Sequence, residues 1–269
     1  MQEILEDLTN EEYHARDEIG KSGLDAVHKS MAHFYSPDKP PTPAMESGIA
    51  FHSLVLEPEL FEKNYVQGLA CDKRTTEGKE KWKLLQEANE GKHILKPDKY
   101  ETLMRMKQSL DEHPRVAAYF EEGLPEISII WEMRETGCKA RVDWMIDGGE
   151  YIIDLKTTAN ASPEAFAKSC ANYRYHVQDA WYSRGVEIVT GIKPVFVFIA
   201  VETIEPHSVA IYTLSDEAKD EGWMAADKDF RKYVDFLNLP KEEQKFLGYS
   251  PDALEITLPR WAFEELMFY

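Results

Sequence analysis

Residues 140–158 constrain the fold more than any other part of the chain. Two runs of β-forming residues flank Asp147-Gly148-Gly149, and an Asp-Gly step between such runs is a strong local signal for a β-hairpin. Side chains alternate between the two faces of a strand, so Asp154 and Lys156 share one face of the second strand. Pairing across the turn brings Asp143 of the first strand toward the same point. The hairpin therefore predicts two carboxylates and one ammonium in one place.

This combination of side chains indicates phosphodiester hydrolysis. Carboxylate oxygens suit a hard divalent cation such as Mg²⁺ or Mn²⁺, which keeps several waters and accepts a phosphate oxygen as a further ligand. The lysine can orient or deprotonate an attacking water, or offset the charge that develops on phosphorus. Strand chemistry alone leaves a second interpretation open, in which Asp154 and Lys156 form a partly buried ion pair and Asp143 only ends its strand.

Length and composition are those of a folded protein without a membrane span. With 269 residues, 43% of them hydrophobic, the chain can form one large domain or two small ones. No apolar run reaches the roughly 18 residues needed to cross a bilayer, and the acidic start lacks the features of a secretion signal, so we expect a cytoplasmic protein. Cys71, Cys138 and Cys170 are far apart, which indicates neither a disulfide framework nor a zinc site.

The net charge of −18 argues against a general nucleic-acid binder, because phosphate contacts need Lys and Arg. It leaves a local positive groove open, since basic residues cluster at 73–74, 79–83 and 92–99. Each such run is more often a solvated helix face. DNA binding would therefore depend on how the charge is distributed.

Two predicted helices carry further candidate residues. Residues 44–58 have a helical pattern with His52 on or near the apolar face, where a lone histidine is more often a core residue than a ligand. A helix over about 174–190, ended by Gly191, places Gln178 and Tyr182 on one face. In the alternative interpretation Tyr182 packs in the core and Gln178 is simply polar.

The remaining elements predict an α/β sandwich around a mixed central sheet, flanked by helices. Strands are predicted at 126–133, 195–201 and 208–214, and a long helix at 216–237. Glu126 and Glu132 share a face of the first of these strands, so one of them could face the acidic cluster, although a solvent-facing role is commoner. We expect a single domain over 1–269, with a helical part at about 1–121, a core at 122–238 and a tail at 239–269 that ends irregularly around 259–261.

The order of these groups resembles the restriction-endonuclease-like, or PD-(D/E)XK, nucleases. Asp143, ten residues, and then Asp154-Leu155-Lys156 is similar to their D…(D/E)-x-K core. His52 upstream and Gln178 to Tyr182 downstream resemble the helix histidine and the Q-x-x-x-Y motif of the RecB-type branch. The likeness is strongest to nuclease domains of the exonuclease VIII (RecE) type and runs from about residue 10 to 215. The stretches that carry it are 13–14, 21–24, 153–158, 173–180 and 194–198.

The resemblance implies a Mg²⁺-dependent, ATP-independent exonuclease, with Mn²⁺ able to substitute. Such an enzyme degrades the 5′-ended strand of linear duplex DNA and leaves a 3′ overhang for a RecT-like single-strand annealing partner. Family members form ring-shaped homotetramers, in which four copies of a modest basic patch could build a channel for DNA. Carried over by position, the metal ligands are His52, Asp143, Asp154 and the Leu155 carbonyl. The other catalytic groups are Lys156, Gln178 and Tyr182.

Two other functions remain open on the same residues. One is a structure-specific or restriction-type endonuclease. The other is a non-catalytic DNA-binding subunit built on a nuclease fold, although the complete set of motif residues speaks against decay.

Overall fold

The protein is described by a computed structural model that covers residues 2–37, 39–245, 248–250 and 252–259. Its central feature within these ranges is a six-stranded mixed sheet. The strands are β1 (Glu3–Leu5), β2 (Tyr65–Gln67), β3 (His93–Leu95), β4 (Leu124–Met133), β5 (Thr136–Ile146), β6 (Tyr151–Thr158), β7 (Val195–Glu202) and β8 (Val209–Tyr212). The order across the sheet is β1-β4-β5-β6-β7-β8, and β2 and β3 form a separate parallel pair. Within the large sheet only β6 and β7 run parallel.

Helices cover both faces of the sheet. They are α1 (Asn10–Ala15), α2 (Lys21–Lys29), α3 (Met31–Phe34), α4 (Pro43–Leu56), α5 (Pro58–Asn64), α6 (Thr76–Ala88), α7 (Pro97–Asp111), α8 (Pro114–Glu121), α9 (Pro163–Asn172), α10 (Tyr175–Thr190) and α11 (Asp216–Leu237). Several begin where the sequence supplies a cap, as α1 does at Thr9, whose side chain and Glu12 form a capping box. Five begin with proline, which fits the first helical turn because its missing N–H would have no partner there.

The predicted hairpin is confirmed as β5 and β6. Its turn contains Gly148 and Gly149, with φ of 62° and 113°, a conformation that glycine adopts without steric cost. Behind the turn, Trp144 pairs with Ile153 and Ile146 pairs with Tyr151. The alternation along β6 is also as expected, because neighbouring residues of this strand pack into different cores.

Those two cores lie on opposite faces of the sheet. Ile152 belongs to the core beneath α10, α11 and α2, whereas Ile153 and Leu155 belong to the core beneath α4, α7 and α8. Residues 196–201 of β7 are all buried, as their uniformly apolar sequence predicts. The mixed α/β architecture with a central sheet between helices is therefore confirmed.

Some elements were not predicted. β1 lies in the acidic start of the chain and forms an edge of the main sheet, and β2 and β3 are equally short. Three-residue strands contain too few alternating positions to stand out in a sequence. The irregular end expected around 259–261 lies, after Pro259, outside the described residues. In the part of the chain that the structure covers, no helix is both long and apolar enough to span a membrane.

The interface between α10 and α11 buries an acid. Asp179 is 1% exposed, and its Oδ1 accepts a hydrogen bond of 3.1 Å from the Ser183 hydroxyl. Its Oδ2 has no hydrogen-bond donor among the described residues. Burial raises the pKa of Asp179 from 3.8 to about 6, although Lys219 on α11 opposes the shift. The folded state therefore binds this proton more tightly than the unfolded chain does.

We expect Asp179→Asn to change how stability depends on pH. Because the folded pKa lies above the unfolded one, wild-type stability falls as pH rises between about 4 and about 6. The full pKa difference corresponds to at most about 3 kcal/mol at pH 8. The variant should therefore be more stable than wild type at pH 8 and similar to it near pH 4. Urea unfolding at both pH values measures this, with the exposed Asp220→Asn on α11 as control. Parallel pH profiles for wild type and Asp179→Asn would contradict the prediction.

Candidate active site

The candidate site lies where β5 separates from β6. The backbone pairing of these strands stops at Trp144 and Ile153, and at the next position the Asp143 side chain replaces a main-chain acceptor. Its Oδ2 accepts a hydrogen bond of 2.8 Å from the backbone N–H of Leu155. The N–H and C=O of one strand residue point to the same side. The Leu155 carbonyl therefore faces the same opening between the strands.

Three acids lie at one level across three neighbouring strands. Asp154 on β6 follows the last paired residue and stands next to Asp143 on β5. On the other side of Asp143 lies Glu126 of β4, with a left-handed backbone φ of 54°. The register that places Glu126 opposite Asp143 is given by the flanking pairs, Pro125 with Trp144 and Ile127 with Val142.

The same level marks a change of face in β5. Val142 packs into the core beneath α10, but Trp144, two residues later, packs against the core beneath α4. Strict alternation would keep both on one face. The reversal occurs at Asp143 and is matched on β4 by the unusual backbone of Glu126. Backbone irregularities of this kind are common next to active sites, because they redirect side chains.

Asp154 is buried and held by two side chains. It is 1% exposed, and its Oδ1 accepts a hydrogen bond of 2.5 Å from Gln178 Nε2 on α10. Its Oδ2 lies 2.5 Å from the Lys156 ammonium. Beyond this ion pair, the oxygen has no hydrogen-bond donor among the described residues. The sequence led us to expect Gln178 near the scissile phosphate or Lys156, and the structure places its amide on Asp154, so it is more than a polar surface residue.

The charges of this pair follow from burial and proximity. Burial raises the pKa of Asp154 to about 6, against the lowering effect of Lys156. Burial alone would lower the pKa of Lys156, but Asp154 and then Asp143 reverse the effect and leave it above its usual value. Lys156 therefore carries a proton at neutral pH. This state fits the role of stabilising negative charge.

His52 and Tyr182 also reach the site. His52, on α4, has Nδ1 3.7 Å from Asp143 Oδ2, with 30% of its side chain exposed. It is therefore not an ordinary core histidine. Tyr182 is half-buried, with its ring centroid 6.3 Å from that of Phe196. Burial, and then nearby groups that include both aspartates, raise the pKa of its phenol well above 10.0.

Glu126 is a further candidate site residue, for which the sequence favoured a solvent-facing position. Its side chain is 22% exposed, and Arg141 Nε lies 2.8 Å from its Oε2. Burial, reinforced by Asp143, raises the pKa of Glu126 to about 8 in spite of Arg141. The sequence indicated which face of the strand Glu126 occupies, but Glu132 was predicted to lie on the same face and could not be distinguished from it. The register and the left-handed backbone decide in favour of Glu126.

The donors fit a hard divalent cation in their chemistry, although they do not form a ready-made cage. Carboxylates, an imidazole and a backbone carbonyl converge, and beyond its ion pair Asp154 Oδ2 has no hydrogen-bond donor among the described residues. Yet across the described ranges no group of three or more His, Cys, Asp or Glu side chains is arranged to hold a metal ion. The side chains lie in two sets, His52 with Asp143 and Asp154 with Lys156 and Gln178. A cation between the sets would compete with Lys156 for Asp154.

The basic runs noted in the sequence are largely neutralised on α6 and just before it. Lys73 lies 2.9 Å from the centroid of the Trp82 ring. Ion pairs join Arg74 to Asp72, Lys81 to Glu77 and Lys83 to Glu87. These residues fit the solvated-face interpretation better than a positive groove.

Comparison with known proteins agrees with this geometry. Residues 22–244 match the model of a PDDEXK-like domain of unknown function (DUF3799). The chain belongs to this family. The curated proteins contain no match to the sequence. The PD-(D/E)XK superfamily, whose members generally use divalent metals, is thereby established, while the exonuclease VIII type within it stays a prediction.

Two solved structures are similar to the chain to different degrees, and the first shares its fold. One is the crystal structure named "Putative exonuclease" from Eubacterium rectale, with a TM-score of 0.59 and 13% identity over 98% of this chain and 99% of that one. Another, of SSO0001, has a TM-score of 0.30 and 13% identity over 77% of this chain and 85% of that one. At this identity the first similarity concerns the fold alone.

We expect Lys156→Met to destabilise the protein strongly, because it leaves the buried Asp154 carboxylate without its cation. Loss of one partner of a buried pair typically costs about 3–5 kcal/mol. The double variant Asp154→Asn, Lys156→Met removes both charges and should recover much of that loss. Urea unfolding at pH 8 of wild type, both single variants and the double variant measures the coupling.

The exposed pair of Lys81 and Glu77 provides the control for this cycle, and Lys81→Met should change stability little. Additive effects of Lys156→Met and Asp154→Asn would show that the two side chains do not depend on each other.

Proposed function

We propose that the protein is a divalent-metal-dependent deoxyribonuclease that hydrolyses phosphodiester bonds. The observation that carries this proposal is the row of Glu126, Asp143 and Asp154 across three strands, beside the buried ammonium of Lys156. Acids alone would suit many cation sites. An ammonium held among them adds a group that binds a phosphoryl oxygen.

Each residue has a role that follows from its position. Asp143, Asp154, His52 and the Leu155 carbonyl would hold the cation, with Glu126 as a further carboxylate. When bound, the cation would lower the pKa of an attacking water and screen the phosphate. Lys156, protonated and next to Asp154, stabilises the negative charge that builds on the phosphoryl group. Gln178 keeps the Asp154 carboxylate oriented through its hydrogen bond. Tyr182 positions the scissile phosphate or Lys156.

The size of the catalytic task favours a site of this kind. Phosphodiester hydrolysis is among the slowest uncatalysed reactions, so the enzyme has to lower the barrier by roughly 20 kcal/mol. Preorganised charges in a site with little water provide the largest part of such a reduction. Asp154 and Lys156 are fixed and almost completely buried, at 2% and 17% side-chain exposure, so little reorganisation is needed during the reaction.

Among deoxyribonucleases, we propose that the protein is a 5′-to-3′ exonuclease on linear duplex DNA that needs no ATP and leaves 3′ overhangs. The order of motifs supports it, because His52, Asp143, Asp154-x-Lys156 and Gln178-x-x-x-Tyr182 follow the exonuclease VIII pattern. A RecT-like annealing protein would then use the overhang. A homotetrameric ring would combine the local positive charge of four chains, which reconciles DNA binding with a net charge of −18.

We expect the acids of the row to be required for cleavage. Asp154→Asn should retain less than about a tenth of wild-type cleavage, since removing one group of this kind usually costs more than that. Glu126→Gln should lower cleavage at least tenfold and weaken Mn²⁺ binding, whereas Glu132→Gln on the same strand serves as a matched control. Cleavage of labelled duplex with Mg²⁺ and calorimetry with Mn²⁺ measure the two effects. Equal activity of the two glutamine variants would remove Glu126 from the site.

The end requirement and direction form a separate prediction. With Mg²⁺ and without ATP, the wild-type protein should degrade linear duplex DNA and spare a covalently closed circle. Duplexes labelled at the 5′ or the 3′ end should release the 5′ label first. Cleavage of the circle would favour the endonuclease alternative. Binding of DNA without any cleavage in Mg²⁺ or Mn²⁺ would favour a non-catalytic subunit.

A further inference from the structure

The turn between α9 and α10 places two tyrosine rings face to face. Tyr173 ends α9 and Tyr175 begins α10, and their ring centroids are 5.7 Å apart with an angle of 28° between planes. Tyr173 is 62% exposed. Arg174 between them has a left-handed backbone, with φ of 56° and ψ of 44°. This conformation, unusual for a residue other than glycine, turns the chain sharply enough to stack the rings.

Contacts from other helices hold the turn in this conformation. Arg174 Nη1 lies 3.0 Å from Asp25 Oδ1 on α2, and Nη2 lies 2.5 Å from Asp229 Oδ2 on α11. The Lys21 ammonium donates a hydrogen bond of 2.8 Å to the Tyr173 carbonyl and pairs with Asp25 at 2.7 Å. The exposed ring of Tyr173 is therefore presented by a fixed backbone and not by a loose loop.

The inner end of the stack touches the candidate active site. Tyr175 stacks on Phe198 of β7, with centroids 5.9 Å apart and 26° between planes. The Lys156 ammonium lies 4.8 Å from the centroid of the Tyr175 ring. A continuous aromatic path thus leads from the proposed catalytic lysine, through Tyr175, to the solvent-exposed face of Tyr173.

A cleft of about 720 Å³ lies beside this ring and has room for a nucleotide. Its lining combines basic side chains with one acid, Asp25, and most of the basic side chains are paired. Lys21 pairs with Asp25, Arg174 pairs with Asp25 and the buried Asp229, and His28 lies 3.2 Å from Asp229. The lining residues include Lys21, His28, Lys29 and Arg174, together with Tyr173 and Tyr175.

We propose that the Tyr173 ring is a stacking platform for an unpaired nucleobase of the DNA strand being cut. The inference rests on the proposed nuclease function and adds a contact that recognises bases. Single exposed aromatic side chains are common and by themselves mean little. Tyr173 differs because its ring is rigidly presented, continues a stack that reaches Lys156 and borders a cleft of about 720 Å³. Aromatic rings of this kind stack on bases of any sequence.

The binding test uses a linear duplex with a short single-stranded end that carries 2-aminopurine, in EDTA so that no strand is cut. Wild-type protein should quench the fluorescence of this base by stacking. Tyr173→Ala should weaken DNA binding about tenfold and abolish the quenching, since a stacked base contributes a binding factor of this order. Tyr173→Leu, which keeps apolar bulk without a flat ring, should behave like the alanine variant. Tyr173→Phe and Tyr173→Trp should behave like wild type.

Tyr249→Ala is the matched control, because Tyr249 is 77% exposed and its ring contacts His33, and neither residue lines the cleft. It should leave affinity and quenching unchanged. Equal affinity and quenching for wild type, Tyr173→Ala and Tyr173→Phe would overturn the platform even if the wild type cuts DNA. A change in oligomeric state with unaltered DNA binding would instead assign Tyr173 to an interface between copies.

The proposed function fails by a different result, namely no cleavage by wild type in Mg²⁺ or Mn²⁺. If base quenching still depended on an aromatic ring at position 173 in that case, the platform would stand as part of a non-catalytic DNA-binding site. If the wild-type protein neither binds nor cleaves DNA, both proposals are overturned.

Discussion

The arrangement of the site depends on one buried ion pair, that of Asp154 and Lys156. A carboxylate that is 1% exposed would be very costly without a compensating charge. The ammonium two residues along the same strand supplies that charge, because both side chains point to one face. The pair in turn requires the amide of Gln178 and therefore a helix packed at a fixed height above the strand. The position of α10 on the sheet and the polar contacts of the site therefore depend on each other.

The second constraint is the separation of β5 from β6. Had the backbone ladder continued past Trp144 and Ile153, main-chain groups would fill the space in which the acids meet. Asp143 instead satisfies the Leu155 N–H with its side chain. The opening therefore costs no unpaired buried donor. Glu126 adopts its left-handed backbone at the same level, so the irregularity is shared by two neighbouring strands. Local departure from regular pairing opens a gap between otherwise well-paired strands, and this gap is where we propose that a cation and a phosphate bind.

The sequence alone predicted those features that follow from the two-residue repeat of a strand or the 3.6-residue repeat of a helix. The common face of Asp154 and Lys156 follows from alternation in one strand, and the shared face of Gln178 and Tyr182 follows from the helical repeat. His52 was ambiguous, since its own helix cannot tell whether an acid from a distant strand will approach. Glu126 could not be separated from Glu132, because the choice depends on register between strands and on one unusual φ angle. Tyr173 begins the motif stretch 173–180, but the sequence did not indicate its exposure, which results from a turn fixed by residues of α2 and α11.

If the chain acts on DNA as proposed, its acidic character limits how the DNA can be held. With a net charge of −18, long-range attraction to phosphates is weak or unfavourable, and affinity from phosphate contacts alone would fall steeply with salt. The acids of the proposed site, Glu126, Asp143 and Asp154, would add to this repulsion near the bond to be cut, and a divalent cation would reverse it locally. Base stacking is much less sensitive to salt than ion pairing, because it needs no counterion release. A nuclease of this charge would therefore gain most from a neutral contact such as an exposed tyrosine ring, placed one stacked ring away from the lysine that we propose to meet the phosphate.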